Sequence, residues 1–306
     1  MMKIIFISGV KFGYDILKSI LEENYKIEAS FSYLPGKKKF FSDYTNFEDI
    51  TKKYGITHKQ VNNINDQENI ELIKKIKPDL ILVFGWSQLL KKEIIEIPRL
   101  GVIGSHPTEL PKYRGRAPIP WSILKGLKKS ALTFFYIQEG IDDGDIVSQK
   151  QFDIDDIDDA TSLYEKITIL GKKMSSEILP LLQSNQITGK KQNSNLFIEN
   201  WPKRTPLDGK IDWLKSAKEI HNLIRATNYP YPGAYTFFKN KKLIIWKSTL
   251  DISPINEPGK IMIKNNQVKI GTSDGSVFLD MISYDCNENK SGIEIFSSSD
   301  NGMKLE

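Results

Sequence analysis

The first half of the chain alternates apolar runs of strand length with patterns of helix length, and this alternation constrains the fold most strongly. The predicted strands are residues 3–8, 26–33, 79–84, 102–105 and 133–137. The predicted helices are residues 14–23, 47–54, 66–77 and 161–182. Because strands that alternate with helices form βαβ units, we expect an α/β fold with a parallel sheet.

The second half of the chain changes character after residue 202. One predicted helix is followed by short predicted strands, at 216–225 and then at 234–238, 243–247, 260–263, 268–270 and 277–281. Turns that carry glycine or asparagine separate several of these strands, which is typical of a small barrel. We therefore predict two domains, 1–202 and 203–306, with a polar linker from about residue 183. Residues 297–306 are expected to be a loose tail whose last two residues are a cloning remnant.

The composition excludes several classes of protein. The chain has 306 residues and a net charge of only +5, too small to indicate a nucleic-acid partner without a clustered basic stripe. No apolar run approaches the roughly 20 residues of a membrane span, and the N-terminus has no signal-peptide pattern. The single cysteine, Cys286, excludes an intrachain disulfide and a multi-cysteine zinc site. We expect a cytoplasmic protein with no membrane association and no metal.

A glycine-bearing loop, SGVKFG, follows the first predicted strand at residues 8–13. Loops at this place in a βαβ unit often bind phosphate. The glycines are spaced G-x-x-x-G, however, so the dinucleotide fingerprint and the Walker lysine are both missing. We interpret the loop as a tight turn and predict neither NAD nor ATP as a ligand.

The densest group of reactive residue types lies at residues 101–121, with the sequence GVIGSHPTELPKYRGRAPIPW. Ligands of open α/β sheets bind at the carboxyl ends of strands, so His106 is well placed for a site. An acidic turn, 140–145, follows the predicted strand at 133–137. If adjacent strand ends bring the two together, Asp142 can orient His106 and stabilise its charged form. His106 is otherwise a structural histidine.

The loop and the acidic turn together resemble the formyltransferase family that uses 10-formyltetrahydrofolate. The shared pattern is x-H-P-x-x-L-P-K-Y-R-G-R-A-P-I-P-W, and D-x-G-D begins 36 residues after the histidine. Residues 204–226 and 229–237 also resemble the start of the family's C-terminal domain. The resemblance implies a doubly wound N-terminal domain, a small OB-like C-terminal barrel, and formyl transfer from N10 of the folate to a primary amine.

The resemblance also implies roles for individual residues. His106 matches the acid/base imidazole beside the reacting carbon, and Asp142 matches the carboxylate that sets its protonation and handles the amine proton. The segments that match folate contacts contain Gln88, Leu89, Leu90, Arg116, Gln138, Glu139, Gly140, Ile141 and Asp142. Such a reaction needs a deprotonated amine, a polarised formyl oxygen and a proton for the leaving nitrogen, and a His–Asp pair can supply the proton transfers.

Gly104 departs from the family, which usually has an asparagine at this position to bind the developing oxyanion. Ser105 is a poor substitute because neighbouring strand residues point to opposite faces. Loss of one such donor can cost about 2.7–4 kcal/mol. Either another donor takes the role, such as protonated His106 or a water beside Gly104, or transfer is slow or altered. A protein that binds its ligands without transferring the formyl group is the further alternative, and hydrolysis of formyl-folate is a weaker one.

Two acceptors are typical of the family: initiator methionyl-tRNA and amino-sugars linked to nucleotides. The tRNA-acting members have a G-T-P motif in the first turn and a longer insertion after the second strand, whereas this chain has SGVKFG and LPGKKK. Residues 203–306 carry 15 Lys and Arg against 12 Asp and Glu, less than a domain that grips tRNA phosphates needs. The sequence favours a nucleotide-linked amino-deoxysugar, for polysaccharide or glycan synthesis, with methionyl-tRNA as the alternative.

Residues outside the central motif have weaker predictions. We predict that Lys37, Lys38 and Lys39 bind the diphosphate of the substrate; the alternative is that they are ordinary surface lysines. Thr108 is a further candidate substrate contact. Trp86 either lines the folate site or belongs to the core. His58 is predicted at the surface and His221 in helix packing. The family resemblance is also compatible with a homodimer.

Overall fold

The computed structural model describes residues 2–36, 42–251, 253, 257–284 and 288–306. The predicted diphosphate contacts Lys37, Lys38 and Lys39, and also Cys286, lie outside the described residues. The chain divides into two compact units. The first comprises Met1–Pro118, Lys129–Asp153 and Tyr164–Pro202, and the second comprises Ile119–Lys128, Ile154–Leu163 and Lys203–Glu306. The second unit thus includes two short stretches that the sequence analysis assigned to the N-terminal domain.

Among its described residues the first unit contains nine strands. They are β1 (Ile4–Ile7), β2 (Ile27–Tyr33), β3 (Thr57–Val61), β4 (Leu80–Val83), β5 (Val102–His106), β6 (Tyr113–Gly115), β7 (Lys129–Tyr136), β8 (Ile146–Asp153) and β9 (Glu199–Trp201). Seven of them form one sheet in the order β3-β2-β1-β4-β5-β7-β8, while β6 and β9 pair separately. The strands β1 to β5 are parallel. The strand β7 runs antiparallel to β5, and β8 runs antiparallel to β7. The predicted doubly wound, mostly parallel sheet is confirmed.

Eight helices are present among the described residues. They are α1 (Lys11–Glu22), α2 (Glu48–Lys53), α3 (Gln67–Ile76), α4 (Lys92–Ile95), α5 (Pro118–Leu124), α6 (Ala160–Gln183), α7 (Ala217–Thr227) and α8 (Gly292–Ile295). In α1 the apolar residues recur every three or four positions, so that one stripe of the helix is buried. None of these helices has both the length and the apolar character that a membrane crossing requires.

The central strands β1 and β4 bury every one of their residues, which explains their continuous apolar sequences IIFI and LILV. The sequence analysis missed β3 and β8, which are the two edge strands of the sheet. Edge strands carry more polar side chains because they bury less surface. His58 was expected at the surface but lies half-buried on β3, where its Nε2 is 3.2 Å from the Ser32 hydroxyl. Burial lowers the pKa of His58.

The second unit contains a five-stranded antiparallel sheet. Its strands are β10 (Ala234–Phe238), β11 (Lys241–Asp251), β12 (Ile261–Lys264), β13 (Gln267–Gly271) and β14 (Ser276–Tyr284), in the order β10-β11-β14-β13-β12. The helix α7 buries Ile220 and Ile224 in the core of this sheet. It begins with a capping box, in which Ser216 accepts from the Glu219 backbone amide and the Glu219 carboxylate returns the contact.

The end of the chain, predicted as a loose tail, is an ordered part of this sheet. On one side the Ile261 amide donates to the Met303 carbonyl at 2.8 Å, and on the other the Glu306 amide donates to Phe237 at 3.0 Å. The segment therefore links β12 to β10, the two edge strands, by main-chain hydrogen bonds. Leu305 lies between them with only 5% of its surface exposed. Little in the sequence indicates this order, because Leu305 alone among mostly polar neighbours is buried in the hydrophobic core.

We predict that Leu305→Ala lowers the free energy of unfolding by about 2–5 kcal/mol, because it removes a buried side chain and leaves a cavity. Met303→Ala is the matched control, since Met303 belongs to the same segment but is 40% exposed. Urea unfolding of the two variants measures the difference. Equal and small effects would show that the end of the chain does not contribute to the sheet.

Candidate active site

His106 is the last residue of β5 and lies at the carboxyl end of the parallel strands. Its side chain is buried, and its Nδ1 is 3.6 Å from Oδ2 of Asp142. This separation is longer than a hydrogen bond, so the contact is electrostatic. Catalytic contacts of this kind are often long before a ligand binds and shorten in the complex.

The structure joins these residues by a different route from the one expected. The strand β7 runs antiparallel to β5, with Ile103 opposite Tyr136 and His106 opposite Thr133. The carboxyl end of β7 therefore lies beside the start of β5, away from His106. The segment after β7 then turns back along the face of β5 that carries His106. It is this reversal of the chain that brings Asp142 to the imidazole. The sequence analysis had instead expected β5 and β7 to end side by side.

The backbone of the acidic turn is shaped for this return. Asp142 has a φ of 49°, in the left-handed region that ordinary residues occupy rarely. At Gly144 a Cβ would lie 1.7 Å from the Tyr136 carbonyl oxygen, so only glycine fits against the strand. The Gly115 amide donates to Asp142 Oδ2 at 2.9 Å, which fixes the carboxylate relative to β6.

The electrostatics of His106 favour a neutral imidazole. Burial lowers its pKa from the ordinary value of 6.5, while the charge of Asp142 and the Tyr113 carbonyl act in the opposite direction. The ring donates a hydrogen bond to the Tyr113 carbonyl, and Nε2 has no partner among the described residues, so the neutral ring is assigned its hydrogen at Nδ1, on the side of Asp142. Nε2 then presents a lone pair. Nε2 is buried and makes no hydrogen bond to any described residue. The ring can therefore take a proton at Nε2 and, once protonated, donate it there.

Gly104 lies two residues before His106, on the same face of β5. A Cβ at this position would lie 2.9 Å from Cγ1 and 3.0 Å from Cδ1 of Ile137. The Ile137 side chain therefore fills the space beside the Gly104 backbone. An asparagine side chain at this position would fit only if Ile137 moved. The glycine and the isoleucine form one packed arrangement, so a larger side chain at position 104 requires a change at position 137 as well.

The segment after β4 positions its three predicted folate contacts differently. Gln88 uses both ends of its amide inside the protein, accepting from the Ile64 amide at 3.0 Å and donating to the Asn62 carbonyl at 2.6 Å. Leu90 is buried in the core of the sheet. Leu89 is 65% exposed, so it offers an apolar surface to a ligand. Gln88 and Leu90 thus shape the segment, and Leu89 is the side chain available for contact.

The remaining predicted site residues fall into two groups. The exposed side chains are those of Arg116, Gln138, Glu139 and Ile141, and the Gly140 backbone is exposed with them. Thr108, by contrast, is fully buried, and its hydroxyl donates to the Tyr113 carbonyl. Its own carbonyl accepts from Thr133 at 2.7 Å. Thr108 is therefore committed to holding the loop after β5, and its hydroxyl is not placed to contact a substrate.

An aromatic pair that includes Trp86 lies after β4 and at the end of β2. The rings of Tyr33 and Trp86 stack with their centroids 3.8 Å apart and their planes within 4°. The Tyr33 hydroxyl accepts from the Ser87 amide at 2.8 Å, which ties the two segments together. The positive charge of Arg116 lowers the pKa of Tyr33, although burial raises it more. Sequence analysis singled out Trp86 but missed Tyr33, because a tyrosine ending a buried strand resembles ordinary core.

The segment predicted as a linker is part of the site's framework. The strand β9 pairs with β6 in parallel, with Gly115 opposite Trp201. The approach is so close that a Cβ on Gly115 would lie 2.4 Å from the Trp201 carbonyl oxygen. The rings of Tyr113 and Trp201 also stack at 4.6 Å. The polar composition of this segment suggested a linker. Main-chain pairing holds the segment in place, and such pairing is hard to recognise in a sequence.

No group of three or more His, Cys, Asp or Glu side chains among the described residues could hold a metal ion. The chemistry that the described arrangement itself offers is proton transfer by His106 and Asp142.

Comparison with known proteins gives consistent matches over most of the chain. Residues 2–179 match the model of the formyl transferase family, and residues 203–299 match the model of the formyl transferase C-terminal domain. The methionyl-tRNA formyltransferase of Alkaliphilus oremlandii is 33% identical over 288 residues, which cover 92% of each protein. The bifunctional polymyxin resistance protein ArnA of Wigglesworthia glossinidia brevipalpis is 34% identical over 85% of this chain, which spans only 40% of that protein.

Solved structures extend the comparison to the fold. The crystal structure of WlaRD, a sugar 3N-formyl transferase solved in the presence of dTDP and 5-N-formyl-THF, superposes with a TM-score of 0.69. The match covers 94% of this chain and 99% of WlaRD at 23% identity. At that identity the likeness shows the shared fold.

We predict that Asp142→Asn lowers the pKa of His106 further, because the substitution removes the negative charge that favours the imidazolium. NMR titration can follow this directly, since the chain has only three histidines. The internal control is His221, whose pKa burial lowers to about 4 and which should not respond. An unchanged or raised pKa of His106 in the variant would contradict the assigned contact.

Proposed function

The chain belongs to the formyl transferase family, and we propose that it transfers the formyl group of 10-formyltetrahydrofolate to the primary amine of a nucleotide-linked amino-deoxysugar. The observation that carries the proposal is the buried His106, with Nδ1 toward Asp142 and Nε2 without a partner at the carboxyl end of the sheet. The experiment that tests it is direct formylation of such sugars.

The described residues fit a formyl-folate donor. The Nε2 atom of His106 is a buried polar group that a ligand can satisfy, and buried polar groups otherwise carry a cost. Leu89 and Ile141 are exposed apolar side chains within the segments that match the family's folate contacts, and Arg116 adds an exposed positive charge. We assign the donor to these residues and to the backbone of 138–142. The donor supplies a formyl carbon bonded to nitrogen, which an amine can attack.

The mechanism follows from the protonation state of His106. At neutral pH its neutral Nε2 accepts the proton that the attacking amine must lose. Asp142 stabilises the imidazolium that results, as the carboxylate of a His–Asp pair does. The imidazolium then holds a proton at Nε2, which it can direct to the oxygen that gains negative charge or to the leaving nitrogen. This gives His106 the oxyanion role that an asparagine at position 104 would otherwise serve.

The charges of the second unit support a small acceptor. Several of its lysines are paired with carboxylates: Lys239 with Asp300 at 2.6 Å, Lys260 with Glu257 at 2.7 Å and Lys269 with Asp251 at 2.7 Å. These pairs balance the positive charge locally. A surface that gathers tRNA phosphates needs lysine and arginine charge in excess, so we favour the nucleotide sugar.

Methionyl-tRNA is the second candidate acceptor, and a specific observation favours it. The relative from Alkaliphilus oremlandii, matched across 92% of each protein, is a methionyl-tRNA formyltransferase. The two acceptors differ in size and charge, so they can be separated in solution. Transfer to tRNA should weaken steeply between about 50 and 200 mM salt, because binding to phosphates releases counterions. Transfer to a nucleotide sugar should change little over the same range.

We predict that the protein formylates a nucleotide-linked amino-sugar, and that His106→Ala lowers kcat/KM by about 10²–10⁴-fold. Mass spectrometry of the product, with 10-formyltetrahydrofolate as donor and charged tRNA as the parallel acceptor, measures both. The matched control is His221→Ala, which removes a half-buried histidine that lies outside the site and contacts Ser248. Full activity of the His106 variant would refute the mechanism, and formylation of tRNA alone would refute the proposed acceptor.

We predict that Gly104→Asn combined with Ile137→Ala transfers faster than Gly104→Ala combined with Ile137→Ala. Both pairs relieve the crowding at Ile137, and only the first adds an amide donor, whose removal elsewhere costs about 10²–10³-fold in rate. Steady-state rates of the two double variants give the comparison. Equal rates would show that position 104 no longer serves the oxyanion. Ligand binding by the unmodified protein without any product would identify the binding-only alternative.

A further inference from the structure

One glutamine in the segment after α6 contacts the backbone of the acidic turn. The side chain of Gln192 is 8% exposed, and its Nε2 donates to two carbonyl oxygens, that of Asp142 at 2.8 Å and that of Gly144 at 2.8 Å. Both hydrogens of this amide group therefore bind the turn that carries the carboxylate of Asp142. Nothing in the helix or strand pattern of the sequence marks this residue.

The other end of the same amide is held by β6. Its Oε1 accepts from an Arg114 guanidinium nitrogen at 2.8 Å. The next residue along β6, Gly115, donates its amide to the Asp142 carboxylate. Asp142 is thus held twice from one strand, through its side chain by Gly115 and through its carbonyl by Gln192 and Arg114. The contacts form a closed ring of hydrogen bonds around the catalytic turn.

The position of Gln192 is itself fixed by main-chain contacts. Two residues earlier, Lys190 exchanges backbone hydrogen bonds with Ile146, the first residue of β8, both at 2.8 Å. The Arg114 guanidinium also lies over the ring of Phe197, 5.5 Å from its centroid. Gln192 is therefore held near β8, the strand that follows the turn. Its partner Arg114 contacts Phe197, which belongs to the same segment as Gln192.

We propose that Gln192 is a positioning residue, which holds the acidic turn in its left-handed conformation so that the Asp142 carboxylate stays against His106. The turn lacks the hydrogen-bond ladder of a strand or helix, and residue 142 lies in the left-handed region, which is uncommon for residues other than glycine. Without the glutamine, the half-buried carbonyl of Asp142 and the buried carbonyl of Gly144 lose this donor. This inference rests on the proposed function of Asp142 in proton transfer.

Two variants separate this role from general packing. Gln192→Met keeps the volume but loses all the hydrogen bonds. Gln192→Glu keeps the contact to Arg114 but presents only acceptors to the two carbonyl oxygens. Asn222→Leu is the matched control, because Asn222 is another buried amide whose oxygen accepts from an arginine, Arg225, in the second unit.

We expect both Gln192 variants to lower kcat by about 10²-fold, as small misplacements of catalytic groups do, with KM for 10-formyltetrahydrofolate changed less than about twofold. Asn222→Leu should leave kcat unchanged whatever its effect on thermal unfolding. In a protein that already carries Asp142→Asn, Gln192→Met should lower kcat little further, because the effect of Gln192 on kcat acts through Asp142. Unchanged kcat in the Gln192 variants, or losses that multiply in the double variant, would overturn the proposal.

A readout that needs no acceptor separates this inference from the proposed function. If the carboxylate is displaced, the His106 ring resonances of Gln192→Met should move toward those of Asp142→Asn at the same pH. Ring resonances that stay at their original positions would overturn the positioning role, even if activity falls. Full activity of Asp142→Asn would instead overturn the proposed role of Asp142 in proton transfer, and absence of any formylated product with the unmodified protein would overturn the proposed function. In both cases the ring resonances would still decide whether Gln192 positions the turn.

Discussion

The contact between the buried imidazole of His106 and the carboxylate of Asp142 is the constraint around which the first unit is arranged. A buried histidine resists protonation because the charged form loses its solvation, and a nearby negative charge offsets part of that loss. The carboxylate must therefore reach the carboxyl end of β5 from a strand, β7, that runs the opposite way. The left-handed backbone at Asp142 and the close approach at Gly144 are the local consequences of that path.

The segment between α6 and the second unit owes its order to this same requirement. A polar stretch of about this length would ordinarily be a flexible connection. Here β9 pairs with β6, and Gln192 contacts the turn that β6 also contacts through Gly115. The order comes from hydrogen bonds to backbone groups, which depend on where the chain passes and hardly at all on side-chain type. This is why the composition of the segment suggested a linker, although in the structure the segment holds β6 and the acidic turn in place.

The predictable and unpredictable parts of the molecule differ in what stabilises them. The central strands β1 and β4 were evident because burial on both faces demands continuous apolar sequence. The edge strands β3 and β8 were not, since pairing on one side alone permits polar residues. His106 and Asp142 were found from their places after predicted strands and then matched to the family motif. Gln192 was missed, because no motif or periodicity marks a side chain whose partners are distant carbonyl oxygens.

The contact of Ile137 with Gly104 shows that the position where the family usually has an asparagine is filled rather than empty in this protein. If Gly104 were a simple loss of a donor, the space beside it would be open to water. Instead Ile137 occupies it, at a distance that a Cβ could not share without displacement. An apolar side chain beside β5 lowers the local polarity, and in less polar surroundings a charged donor is worth more than in solvent. Our proposal that protonated His106 serves the oxyanion is coherent with this packing, since the same burial that lowers the resting pKa of His106 strengthens its interactions once it is charged.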